Sequence, residues 1–513
     1  MRYIDRPPDA GTGQRPIMRS GLAGLLALIL ALPGPVPAKA QDSRPGTVFD
    51  GLPRIGEAAA DELSPQLERD IGEAVRSDFR QQGLLVEDPE LVDYLNQLGE
   101  RLGGAGPAAG YSFEFFAVRD ATLNAFAVPG GFIGVHTGLI IAANSESELA
   151  SVLAHEMGHV TQRHIARMLA QGRQSTVVTL ATTVLAILAA RSNPQAAGGL
   201  VALGGGIAQD QMLAFSRDAE READRVGLDI LRQAKFDTNA MVAFFGRMQN
   251  ATRIYESGAP TYMRTHPITT ERMADIQNRL SDERYRQHVD SVEFTLLRAK
   301  LDASANNGVD GLARARSSIE RRLRDRSFVN AAAAHYQLAL VANEQEDFDV
   351  AREALATARK AIGVPHAMLA RLAIDIDMRG GRDDAALAAS TDALAAHPAA
   401  RALVQQHGAL LLRMRRFDDA AKYLEEQVRR YRGDSALWRM LSDARFGAGQ
   451  PIAARRAVAE HYALDGGLLA AIDQLRIAQR EAGNDFYVGS QIDARLRELQ
   501  ARYKRDQEAF GAD

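Results

Sequence analysis

Apolar positions recur every three or four residues along the first third of the chain. Leu91, Leu95, Leu98 and Leu102 fall on one helical face of the segment Asp88 to Leu102, and Pro65 to Gln82 carries a comparable stripe. Two supporting helices are therefore predicted. The Gly- and Ala-rich stretch Gly103 to Gly110 interrupts the stripe. Beyond it, Tyr111 to Val118 and Ala125 to His136 read as short strands broken by Pro129-Gly130-Gly131. Ser145 followed three residues later by Glu148 is a capping box. A helix is expected to begin there and to carry Leu149, Val152, His155 and His159 in its middle. Between Thr176 and Gly206, a strongly apolar run, Val177 to Ala190, is followed by the turn Ser192-Asn193-Pro194 and a second run rich in Gly and Ala. This is the pattern of a helical hairpin. At 14 residues the first run falls short of the roughly 20 that cross a bilayer, which favours a core hairpin over membrane contact.

The C-terminal part repeats itself. Ala351, Ala385, Ala420 and Ala454 lie 34, 35 and 34 residues apart, each shortly after a turn. Phe348-Asp349-Val350-Ala351 and Phe417-Asp418-Asp419-Ala420 are close copies, with weaker versions at Arg382 to Ala385 and Pro451 to Ala454. This period resembles the tetratricopeptide repeat. A small residue is needed where the second helix of each unit presses on the first, and the aromatic before it fills the neighbouring gap. Pro365 and Pro398 close units. The repeat's Trp and Gly-Tyr positions are mostly Leu and Ala, so a generic Ala-rich bundle stands as the rival.

Composition narrows the function classes. With 25% charged and 46% hydrophobic residues in 513, the chain has the make-up of a folded protein with room for two or three domains. A formal net charge of -4 and a pI near 6.3 lack the basic footprint of a nucleic-acid binder. The first forty residues differ from the rest: Arg15 and Arg19 precede the apolar run Gly21 to Leu32, the breakers Pro33, Gly34, Pro35 and Pro37, and Ala38-Lys39-Ala40. This is the layout of a signal peptide over 1–40, with cleavage expected after Ala40 and an uncleaved anchor as the rival. Met18-Arg19-Ser20 offers a more compact start than Met1. Residues 41–64 read as a flexible segment. The chain has no cysteine, which excludes disulfides and a lipid-modified cysteine and is compatible with a bacterial periplasm.

The chemistry is concentrated in His155-Glu156-Met157-Gly158-His159. Residues i and i+4 share a helical face, so both imidazoles can hold one metal ion. Zinc suits them. Glu156 is offset around the helix, where it can take a proton from an attacking water without being a ligand, and the reaction class is peptide-bond hydrolysis. A catalytic zinc needs a third protein ligand. Position 165, where the metzincin pattern has histidine, is Ile165. The charged helix start Ser216 to Asp224 offers Glu220 or Glu222. Spacing favours Glu220 modestly, because Asp224, one turn on, can then orient a ligand histidine from behind.

Asn124-Ala125-Phe126-Ala127-Val128-Pro129-Gly130-Gly131, the run Glu148-Leu149-Ala150 to Val160, and Ser216-Arg217-x-x-Glu220-x-x-Ala223-Asp224 resemble the CAAX-prenyl-protease-like and heat-shock-protease-like metallopeptidases, over about residues 65–285. Within that family the chain looks like the soluble, periplasmic branch with tetratricopeptide repeats. The resemblance implies that Glu220 is the third zinc ligand, that Glu156 is the general base, and that Gly131 to His136 is an edge strand along which an extended substrate pairs. His266, in Arg264-Thr265-His266-Pro267, matches the branch and is expected either as a self-inhibitory fourth ligand or as a plain helix cap. His136 and His164 are expected to be structural.

The expected architecture is mainly α with a small β-sheet: a zincin-like metallopeptidase domain at 65–285, then an α-solenoid at 290–513. The expected function is an exported endopeptidase with one Zn2+ per chain, degrading misfolded or misassembled outer-membrane proteins. Its repeats would hold unfolded clients or the outer-membrane assembly machinery, with peripheral membrane contact and no nucleic acid. The rival is a non-proteolytic holdase or assembly chaperone with a silenced site.

Overall fold

Two helices open the structure, a computed structural model that describes residues 64–104, 106–171, 217–254, 261–281, 287–305, 308–483 and 485–510. The expected signal peptide, nearly all of the flexible segment 41–64 and the hairpin containing Val177 to Ala190 lie outside those residues. In α1 (Pro65–Gln81) the Ser64 hydroxyl accepts from Leu67 N–H, and in α2 (Pro89–Gly103) Asp88 accepts from Glu90 N–H. Each has proline at the first helical position, where a missing N–H costs nothing. All four predicted leucines of α2 are buried.

The sheet contains β1 (Glu114–Val118), β2 (Ala125–Val128) and β3 (Phe132–His136) in the order β1-β3-β2. β3 runs parallel to β1 and antiparallel to β2. The strand expected at the edge is thus the central one. Gly130 and Gly131, at φ 80 and 88, fold β3 straight back along β2. A Cβ on Gly131 would sit 2.1 Å from the Ser112 carbonyl oxygen, so β1 closes in on the other side. The free edge of β1 is sealed by Asn96, whose side chain donates to Phe115 O and accepts from Phe115 N–H, each at 3.0 Å. Among the described residues, the other sheet edge, which has no partner strand, belongs to β2.

Next come α3 (Thr137–Ala142), α4 (Glu146–Thr161), α5 (His164–Gln171), α6 (Arg217–Gln233), α7 (Asn239–Ile254), α8 (Thr261–Thr265) and α9 (Thr270–Leu280). The capping box forms with one change: Ser145 Oγ accepts from Glu148 N–H, but the Glu148 carboxylate reaches back to Asn144 N–H. Helices α4 and α6 touch through glycine. A Cβ on Gly158 would lie 2.9 Å from Ala223 O, and one on Gly227 3.1 Å from His155 N.

The repeats are helix pairs: α10 (Val292–Ser304), α11 (Gly308–Arg324), α12 (Ala331–Glu344), α13 (Phe348–Ile362), α14 (Ala367–Arg379), α15 (Asp383–Ala396), α16 (Arg401–Arg413), α17 (Phe417–Arg430), α18 (Ser435–Gly447), α19 (Pro451–Leu464), α20 (Leu468–Ala482) and α21 (Phe486–Phe510). Three of the four period-marking alanines are buried, but Ala385 is exposed and Ala386 takes its place. Arg382 precedes its helix, as Asp347 and Arg416 precede theirs, so the buried alanine is the fourth helical residue in α13, α15, α17 and α19. The aromatic fills its expected gap. A Cβ on Gly447 would meet the Phe417 ring at 2.4 Å.

One hydrophobic cluster runs from Leu91 in α2 through α4 and α6 into Phe294, Leu297, Tyr336 and Ile376. The first repeat helices thus pack into the core that supports the motif helix. Among the described residues no helix is long and apolar enough to cross a membrane.

Candidate metal centre

His155 and His159 stand on one face of α4, one turn apart, with their Nε2 atoms 3.0 Å from each other. Glu220, in the first turn of α6, brings Oε2 to 3.5 Å from His155 Nε2 and Oε1 to 3.6 Å from His159 Nε2. The Gly158 and Gly227 contacts make this approach possible, because any side chain there would hold the helices apart. His266, between α8 and α9, completes the group: one ligand atom from each of His155, His159, Glu220 and His266 lies within 4.8 Å of the others, and all four residues are buried. Such a set can hold a metal ion. His266 Nδ1 is 3.0 Å from Glu220 Oε1, and its Nε2 is 3.4 Å from Glu156 Oε1. Tyr262 stacks on the His266 ring at 4.7 Å.

Glu156 is fully buried, between β2 and the cluster. Its Oε2 accepts from Ala127 N–H at 3.0 Å, so the outer edge of β2 and the carboxylate are fixed together. Asp224 Oδ1 sits 3.0 Å from His155 Nδ1, as the one-turn spacing from Glu220 predicts. Glu222, the other carboxylate weighed from sequence, turns away to His164 and Arg167.

Three features escaped the sequence reading. Arg272, in α9, holds both Asp224 oxygens and Glu220 Oε2 at 2.7 Å and donates to Pro267 O at 2.8 Å. His164, expected to be merely structural, touches the far side of His159. The glycine contact between α4 and α6 is the third. None has a local signature, since each depends on residues distant in sequence or on a helix break.

Electrostatics follow from burial and these partners. Burial opposes charge on His155, yet Asp224 and Glu220 push its imidazole up to about 9. Burial holds His159 well below the usual imidazole range. Burial also disfavours the Glu220 charge, but His266, His155 and Arg272 outweigh it and hold the carboxyl well below the usual range. The buried Glu220 carboxylate is thus kept ionised by its neighbours.

Residues 89–280 match the family model described as Peptidase family M48. The chain is 32% identical over 465 residues to the beta-barrel assembly-enhancing protease of Escherichia coli, across 89% of this chain and 93% of that protein. The like-named protease of Yersinia pestis is 31% identical, across 95% of this chain and 100% of that protein. The mitochondrial metalloendopeptidase OMA1 of Schizosaccharomyces pombe is 30% identical across 43% of this chain and 62% of that protein.

Proposed function

The chain belongs to peptidase family M48, and from that premise we propose that it is an exported zinc metalloendopeptidase of the periplasm, hydrolysing peptide bonds in misfolded or misassembled outer-membrane proteins. The repeats hold clients or assembly partners on their stacked helices. One observation carries this reading: the donor atoms of His155, His159 and Glu220 converge in a buried site beside the Glu156 carboxylate. The signal-peptide layout of residues 1–40 and the names of the E. coli and Y. pestis relatives support the compartment and the client class.

The donor set fits zinc. Two imidazoles and one carboxylate are the usual protein ligands of a catalytic zinc that leaves a position open. Asp224 lies on His155 Nδ1, so a metal ion would displace the proton from Nε2, the nitrogen that faces the cluster. When bound, zinc supplies Lewis-acid activation of water and of the scissile carbonyl. Glu156, fixed through Oε2 by Ala127 N–H, uses Oε1 to take a proton from the attacking water and return it to the departing amine. Because β3 is the central strand, the edge left for an extended substrate is that of β2, where Ala127 N–H is already held by Glu156. Tyr262 N–H donates to Leu123 O, just before β2. The loop bearing His266 thus lies against that edge and fills the space a substrate needs, and we infer a self-inhibited resting state.

His266 inside the cluster also favours a second reading, a holdase or assembly chaperone whose site stays silenced. A Glu156→Gln variant separates the two. Client cleavage should fall by about a hundredfold to ten-thousandfold while client binding persists. Cleavage that continues at the wild-type rate, in that variant and after chelation, rules out the enzyme. Client assembly that depends on the repeats alone supports the chaperone.

A further inference from the structure

The side of His159 that faces away from the cluster is also engaged. Its Nδ1 lies 2.8 Å from His164 Nδ1, with the rings 4.8 Å apart at 74°. His164 turns its other nitrogen to Glu222 Oε2 at 3.1 Å, and that oxygen also accepts from Arg167 Nη2 at 2.7 Å. A line of contacts therefore runs from a buried ring, through a buried imidazole, to a carboxylate and guanidinium that are 27% and 30% exposed.

This contact needs a broken helix. In a continuous α-helix, residue 164 would lie about 140° around the axis from residue 159. Instead α4 stops at Thr161, Arg163 adopts φ 50, and Glu68 accepts from the Arg163 side chain, with Arg163 Nη2 at 2.8 Å. The turn swings His164 back over His159.

Only one order of hydrogens satisfies the line, granted the metal-site reading on which it rests. If His159 offers its Nε2 lone pair to a metal, its hydrogen is on Nδ1. His164 Nδ1 must then accept, because two N–H groups cannot face each other at 2.8 Å. The His164 hydrogen is left on Nε2, where the acceptor-only carboxylate of Glu222 receives it. Every donor has an acceptor in that order alone.

We propose that His164, backed by Glu222, is the positioning residue for His159: it fixes the ring's orientation and tautomer and so sets how tightly the site holds its metal. The two ligand histidines are then held by different means. A carboxylate clamped by Arg272 orients His155 directly, whereas His159 reaches its carboxylate through a second imidazole. The same contacts join α5 to α6, so the base of α6, which carries Glu220, is tied to the ring that Glu220 faces.

Zinc competition against a chromogenic chelator tests this on the full chain. His164→Phe should weaken zinc binding about tenfold to a hundredfold. Glu222→Ala, on the surface, should weaken it less but in the same direction, and Glu222→Asp should restore part of the loss. Nitrogen NMR of labelled imidazoles should find the hydrogen on Nδ1 of His159 and on Nε2 of His164, with the His164 tautomers mixed in Glu222→Ala. Should His164→Phe fail to fold, Glu222→Ala and the tautomers decide. Wild-type zinc affinity in Glu222→Ala with unchanged circular dichroism, or a hydrogen on His164 Nδ1, overturns the proposal. His155→Ala serves as control: zinc retained there defeats the metal-site reading itself, whereas zinc lost there but held normally in His164→Phe and Glu222→Ala defeats this inference alone.

Discussion

His266 is hydrogen-bonded to Glu220 and stacked on Tyr262, and the self-inhibited state proposed above makes its ring the block to substrate. Replacing it with alanine removes a blocking ring without touching the other three donors. His266→Ala is therefore expected to raise cleavage of an unfolded client several-fold, with zinc content unchanged, in a discontinuous peptide assay. Equal or lower cleavage with full zinc would show that the ring supports rather than blocks turnover. At this scale much was legible in the sequence. The pair His155 and His159 follows from helical spacing alone, and the charged start of α6 offered Glu220 or Glu222, with the spacing to Asp224 and the family resemblance both pointing to Glu220. The fold turns Glu220 to the histidines and Glu222 to His164 and Arg167. Arg272 was invisible, because only the fold brings its guanidinium to Glu220 and Asp224.

Glycine, rather than a ligand, sets how closely α4 and α6 approach. A methyl group at Gly227 would press on His155 N at 3.1 Å and on the neighbouring Ala154 carbon at 3.2 Å. Overpacking of this kind costs about 1–3 kcal/mol. Gly227→Ala should lower the thermal midpoint and weaken zinc binding together, because separating the helices withdraws Glu220 from the histidines. A variant that loses stability but binds zinc normally would show that helix spacing does not tune the site. The helix start at Ser145 was readable because its capping box acts locally, and the first two helices were readable from the spacing of their apolar residues. Strand order was not. β3 has the composition of a strand in any position, and its central place is set by the tight glycine turn after β2 and by β1 arriving from the opposite side. The repeat period was also legible, but its phase slipped by one residue at Ala385, where neighbouring alanines hide which one faces inward.

Glu146, the first residue of α4, links the motif helix to the start of the repeats. Its buried carboxylate accepts from Tyr94 OH at 3.1 Å and Ser291 Oγ at 2.7 Å, lies 3.0 Å from His288 Nε2, and pairs with Arg101. Burial alone would raise its pKa, but His288, Ser291 and Arg101 outweigh it and hold the carboxyl below the usual range. The folded state therefore binds this proton more weakly than the unfolded chain. The stabilisation is complete above about pH 4.3, the unfolded value, and is lost as pH falls through the folded value. Glu146→Gln should cost about 1–3 kcal/mol at neutral pH, and urea melts of the two proteins should converge in acid. A constant difference at every pH would contradict this role. The hydrophobic cluster running from Leu91 to Ile376 puts the first repeat helices and the metal site under one shared core. Sequence periodicity cannot report such packing, because each helix reads alone as amphipathic. That whole assembly exists to bring a carboxylate from α6 against two imidazoles on α4, residues more than sixty positions apart in the chain. Metal analysis by mass spectrometry of purified wild type, His155→Ala and Glu220→Gln tests this most directly. One zinc per chain in the wild type and almost none in either variant is the predicted result; full zinc occupancy in Glu220→Gln, or none in the wild type, would contradict it.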